Sequence, residues 1–148
     1  MPSTSKVSVS CQFETAICEM SNTATPKRQS GDKYEDEAIA FLTQQGLTLV
    51  TRNYQCKLGE IDLIVLDDGT AEGTDVETIV FVEVRYRKNS RFGGAAISVT
   101  PAKQRKISLA ALHYLQSKKS DNAVCRFDVL AFSDTDTQWI KDAFHSPL

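Results

Sequence analysis

Four apolar runs rich in β-branched and aromatic residues punctuate the chain, and a helical stretch separates only the last two. They are LTLVTRNYQ (47–55), EIDLIVLD (60–67), TIVFVEVRY (78–86) and AVCRFDVLAF (123–132). Such runs, bounded by turn residues, read as strands. Short links between the first three predict an antiparallel meander. The helix after the third allows a parallel crossover to the fourth. SGDKYEDEAIAFLTQQG supplies a leading helix, with Tyr34, Ala38, Phe41, Leu42 and Gln45 at helical spacing and Gly46 as its stop. The order helix, strand, strand, strand, helix, strand predicts an α/β fold with a mixed central sheet flanked by helices. A short terminal strand is expected around WIKDAF.

The second helix opens at Thr100-Pro101, a good N-cap followed by proline at the first helical position. Ile107, Ala110, Ala111, Tyr114 and Leu115 form its apolar stripe. Lys103, Arg105 and Lys106 load its first turns, where the helix dipole favours acids. Either an anion docks there or the misplacement is simply tolerated. Asp32 and Glu35 have the spacing of a capping box. Residues 1–29 are rich in Ser and Thr and lack a sustained period, so they read as a disordered extension to a single domain at 30–148.

No apolar run approaches the roughly 18 residues that span a bilayer, and no signal-peptide pattern opens the sequence. A cytoplasmic location without membrane association is therefore expected. The four cysteines (Cys11, Cys18, Cys56, Cys125) lack metal-ligand spacing and read as free thiols. Net charge is −2, yet Arg85 to Lys119 carries nine bases and no acid, leaving eight bases and nineteen acids elsewhere. Such segregation suits an anionic partner, although a solvated helix face with a basic loop has the same composition.

FVEVRYR (81–87) sets Glu83 and Arg85 inside an apolar run. Residues i and i+2 of a strand share a face, so the two point the same way. Asp62 lies between Ile61 and Leu63 in the preceding strand. A buried carboxylate is costly unless paired or metal-bound. With the two strands adjacent, Asp62 and Glu83 can share a face beside Arg85 and hold Mg²⁺ or Mn²⁺, hard cations that favour oxygen ligands. The alternative for Asp62 is an ion pair with Arg85. Glu35 either caps its helix or reaches the sheet from the helix head.

The blocks YEDEAIAFLTQQGLTLVTRNYQCKLGEIDLIVLD, FVEVRYRKNSRFGGA, KQRKISLAALHYL, RFDVLAF and DAF, taken in order, resemble the YraN family of small bacterial proteins. That family is classed among endonucleases of the PD-(D/E)XK superfamily and is similar in its core to Holliday junction resolvases. The resemblance implies a restriction-endonuclease-like core. It implies Asp62 as the first metal ligand, Glu83 and Arg85 as the (D/E)XK element, Glu35 as the acid of the first helix and Lys103 as the basic position of the second. The sequence departs from the superfamily at Arg85, where lysine is usual. Arginine stays charged and cannot act as a base, but it can hold a phosphate.

The leading expectation is a Mg²⁺- or Mn²⁺-dependent endonuclease acting on branched DNA. Its metal ligands are Asp62 and Glu83, with Glu35 assisting through water and Arg85 on the scissile phosphate. Arg87, Lys88, Arg91, Lys103, Arg105 and Lys106 would contact backbone phosphates, which position the duplex without reading bases. A homodimer fits such chemistry, since enzymes that cut two strands are often two-fold dimers. The alternatives are a nucleic-acid-binding module that kept the fold without the reaction, and a protein-interaction domain whose basic face docks an acidic partner.

Overall fold

A computed structural model describes residues 26–88 and 99–148. The expectations for residues 1–25, which include Cys11 and Cys18, and for Arg91 lie outside the described residues. Helix α1 (Pro26–Gln44) leads into strands β1 (Thr48–Cys56), β2 (Gly59–Asp67) and β3 (Thr78–Arg87). Helix α2 (Pro101–Ser117) follows, then β4 (Val124–Ser133) and β5 (Thr137–Ile140). The strands lie in chain order across one sheet, β1-β2-β3-β4-β5. Only β3 and β4 run parallel, with Phe81 opposite Phe127 and Glu83 opposite Val129. The other neighbours are antiparallel. This is the expected mixed α/β sheet with the element order of a restriction-endonuclease-like core.

Alternation sorts the core into two layers. Leu63, Val65, Val80, Val82, Leu130 and Phe132 pack with Ala38 and Leu42 of α1. Ile64, Phe81, Phe127 and Val129 pack with Ile107, Ala110, Ala111 and Tyr114 of α2. Each large apolar side chain so buried contributes roughly 1.5–3 kcal/mol before entropy is counted. The helices therefore cover opposite faces of the sheet. Because Phe81 faces α2 and Val82 faces α1, the period of two sends Glu83 and Arg85 towards α2.

Two local expectations need correction. Helix α1 starts at Pro26 and not at Ser30, so Asp32 lies inside the helix and the Asp32/Glu35 pair is not its capping box. The last strand is Thr137–Ile140, so of WIKDAF only Trp139 and Ile140 are extended. Helix α2 begins as its sequence indicates, with the Thr100 hydroxyl accepting from the Lys103 backbone N–H at 3.3 Å.

Candidate metal and nucleic-acid site

The site forms where regular pairing breaks down. The β1–β2 register passes from Arg52 opposite Leu63 to Tyr54 opposite Ile61, without a pair at Asn53 and Asp62. Asn53 has φ 51°, the left-handed region that asparagine tolerates better than most residues. The kink sends the two residues that flank it, which would share a face in a regular strand, to opposite sides of the sheet. Arg52 reaches Glu35 and Asp36 of α1, whereas Tyr54 meets His113 and Tyr114 of α2. Across the same break, Ile61 packs on the α2 side and Leu63 on the α1 side.

Asp62 is thus released from the ladder. The β2–β3 register ends at Leu63 opposite Val82. Beyond it, Asp62 Oδ2 accepts the backbone N–H of Val84 at 2.8 Å. Burial, and then the charge of Glu83, push the Asp62 carboxyl up from 3.8 to about 7; Glu35 adds to the shift, while the Val84 bond and Lys103 oppose it. That electrostatic coupling places Asp62 in the fields of both Glu83 and Glu35.

Glu83 is buried at 7% exposure, and its Oε2 has no hydrogen-bond partner among the described residues. Lys103 Nζ lies 3.4 Å from that oxygen, a charge contact at the outer limit of hydrogen bonding. Arg85 Nε is 3.7 Å from Glu83 Oε1. Lys103 also lies 3.6 Å from Glu60. Burial alone would lower the Lys103 ammonium, but the fields of Glu83, Asp62 and Glu60 outweigh it and hold its pKa above the ordinary value.

Glu35 sits on α1 with its side chain only 12% exposed. Asn53 Nδ2 donates to its Oε2 at 2.8 Å and Arg52 at 3.2 Å. The kinked Asn53 therefore ties the helix acid to the strand opposite Asp62. One residue earlier, Tyr34 stacks on Tyr86 at 4.3 Å and anchors this part of α1 to the end of β3. Arg87, Lys88, Arg105 and Lys106 are exposed. Lys103 is turned inward among the carboxylates, a placement that helical spacing alone did not distinguish from the solvated alternative.

The donor set fits a hard divalent ion. It offers two carboxylates in mutual repulsion and a buried oxygen lacking a hydrogen-bond partner, an arrangement that a cation retaining most of its waters can satisfy. Among the described residues no three His, Cys, Asp or Glu side chains gather around one point.

A buried ionic network elsewhere escaped the sequence reading. Asp128, fully buried on β4, accepts from Arg126 Nε at 3.0 Å, Trp139 Nε1 at 3.0 Å and the Asp142 backbone N–H at 3.0 Å. Arg126 also donates to Asp67 at 2.9 Å. Arg126 and Asp128 stand at i and i+2 in an apolar strand, the same signal that singled out Glu83 and Arg85. The Asp128 carboxylate here is well supplied with donors, so its role is structural.

The model of the uncharacterised protein family UPF0102 matches residues 34–132, from the first helix to the end of the fourth strand. The chain belongs to the UPF0102 family. A UPF0102 protein from Janthinobacterium sp. (strain Marseille) is 47% identical over 122 residues, covering 82% of this chain and 92% of that relative. A UPF0102 protein from Cupriavidus pinatubonensis is 52% identical over 111 residues, covering 74% and 80% respectively. The UPF0102 match spans α1, β2, β3 and α2, the elements that carry Glu35, Asp62, Glu83 and Lys103. No helix among the described residues is long and apolar enough to cross a membrane.

Proposed function

We propose that this chain is a metal-dependent DNA endonuclease in which Asp62 and Glu83 hold Mg²⁺ or Mn²⁺. The observation that carries the reading is the electrostatic pairing of the two carboxylates, with Asp62 pushed up to about 7 and Glu83 Oε2 left without a hydrogen bond. A divalent cation supplies polarisation of a phosphodiester oxygen and a more acidic attacking water. Arg85 cannot take a proton, so it binds the scissile phosphate and stabilises the charge that develops on it. Lys103, held protonated by its carboxylate neighbours, donates to a phosphate or leaving oxygen and does not serve as a general base. Glu35, fixed by Arg52 and Asn53, contributes negative potential at Asp62 and a lone pair to the water network.

The exposed bases Arg87, Lys88, Arg105 and Lys106, with Arg91, contact backbone phosphates. Phosphate contacts carry no sequence, so selectivity rests on DNA shape, with branched DNA as the favoured partner. Four to six such contacts give a slope of log K against log salt on the order of −4 to −5. A homodimer would present two sites to two strands.

The test incubates the protein with labelled branched and linear DNA in Mg²⁺, Mn²⁺ or EDTA, beside Asp62→Asn and Glu83→Gln. Metal-dependent cleavage lost in both variants supports the reading. Cleavage that persists in both removes the site.

A second reading, a DNA-binding module without hydrolysis, has one observation in its favour. Glu83 already faces two cations, Lys103 at 3.4 Å and Arg85 at 3.7 Å. It predicts unchanged DNA affinity in Asp62→Asn and no cleavage in Mn²⁺.

A further inference from the structure

The β1–β2 hairpin carries features that hydrolysis alone does not use. Its tip is Lys57-Leu58, and Leu58 is 47% exposed where turns favour Asn, Asp or Gly. The hairpin is braced from behind. A Cβ added at Gly59 would lie 2.4 Å from the backbone carbonyl oxygen of Lys106, so β2 starts in direct contact with the first turns of α2.

An open groove of about 520 Å³ lies at this junction, lined by Gln55, Lys57, Glu60, Lys103 and Lys106 among others. Glu60 pairs with Lys103 at 3.6 Å, leaving a positive excess on the walls. Lys103 lines the groove and also reaches the buried, unbonded Oε2 of Glu83 at 3.4 Å. Lys103 is therefore shared between the groove wall and the carboxylate site. Its volume lies within the range of ligand-sized clefts.

We propose that this groove receives an unpaired stretch of DNA beside the scissile phosphate, with Lys57 and Lys106 on its phosphates and Leu58 packed against an unstacked base. The inference rests on the nucleic-acid reading above and assigns its selectivity to a residue. An apolar side chain at a rigid tip acts as a wedge between bases. Linear duplex must be unstacked before it can meet Leu58, whereas a branch point or single strand offers free bases. Duplex binding should then be indifferent to Leu58.

The test measures equilibrium anisotropy of the full chain with a labelled four-way junction, a single strand and a linear duplex, in EDTA so that nothing is cut. The variants are Leu58→Ser and the double variant Lys57→Ala/Lys106→Ala, all at exposed positions, with folding checked by circular dichroism. Leu58→Ser should weaken junction and single-strand binding about 5- to 10-fold, the low end of a lost base contact. Duplex binding should stay within about twofold, as expected where no base contact is made. The double variant should make the salt slope shallower by about two. Unchanged junction binding in Leu58→Ser, or an unchanged slope in the double variant, overturns the proposal. Its failure is distinguishable from failure of the hydrolytic reading. Intact DNA in Mn²⁺ with a clear Leu58 effect removes hydrolysis alone, while metal-dependent cleavage with no Leu58 effect removes the groove alone.

Discussion

The Asp62 carboxylate accepts the backbone N–H of Val84 at 2.8 Å, and so takes over the β2–β3 ladder where main-chain pairing stops. The acid is thereby fixed next to Glu83 at an electrostatic cost. Its folded pKa is about 7 against an ordinary 3.8, raised by burial and then by Glu83. Between those values the folded protein keeps a proton that the unfolded chain has released. The Asp62 contribution to stability in EDTA therefore falls as pH rises from about 4 to about 7 and levels off above. Asp62→Asn keeps an acceptor for Val84 and removes the charge. Urea denaturation should find this variant more stable than the parent at pH 8, by on the order of a few kcal/mol, with the gap narrowing at pH 5.

Glu83 and Lys103 act on Asp62 with opposite sign. Carboxyl-carbon NMR titration should show the Asp62 midpoint moving down in Glu83→Gln and up in Lys103→Met. Two shifts in the same direction would mean that the three groups do not share one site.

Gly59 has no room for a side chain, because Lys106 contributes unyielding backbone 2.4 Å from the Cβ position. Gly59→Ala should cost about 1–3 kcal/mol by forcing the hairpin away from α2. A lower Tm with an unchanged circular dichroism spectrum would report it.

Arg126→Met should leave Asp128 buried with Trp139 and Asp142 as donors but without its counter-charge. Breaking a buried pair from one side costs about 3–5 kcal/mol. Chemical denaturation should show that loss, while the Mn²⁺ affinity of the folded fraction stays at the parental value.

The architecture was legible because each element carried its own period. Alternation in 81–87 set Glu83 and Arg85 on the face opposite Val82 and Val84, and Thr100-Pro101 marked the start of α2 to the residue. The helix start at Pro26 was hidden because Asp32 and Glu35 imitate a cap inside the helix. The electrostatic pairing of Asp62 with Glu83 followed from strand adjacency. The kink that releases Asp62 did not, since it depends on a left-handed Asn53 and on a missing cross-strand pair, neither of which has a periodic signature. Lys103 was read with its exposed neighbours Arg105 and Lys106. Only the packing angle of α2 against the sheet decides which of the three meets Glu83.

Calorimetric titration with Mn²⁺ at pH 7.5, on the parent, Asp62→Asn and Glu83→Gln, tests most directly whether the two carboxylates form one cation site. A single site is expected in the parent, weakened about tenfold or more in each variant, the loss expected when one charged oxygen ligand is removed. Equal Mn²⁺ affinity in all three proteins, or no binding to the parent, would contradict it.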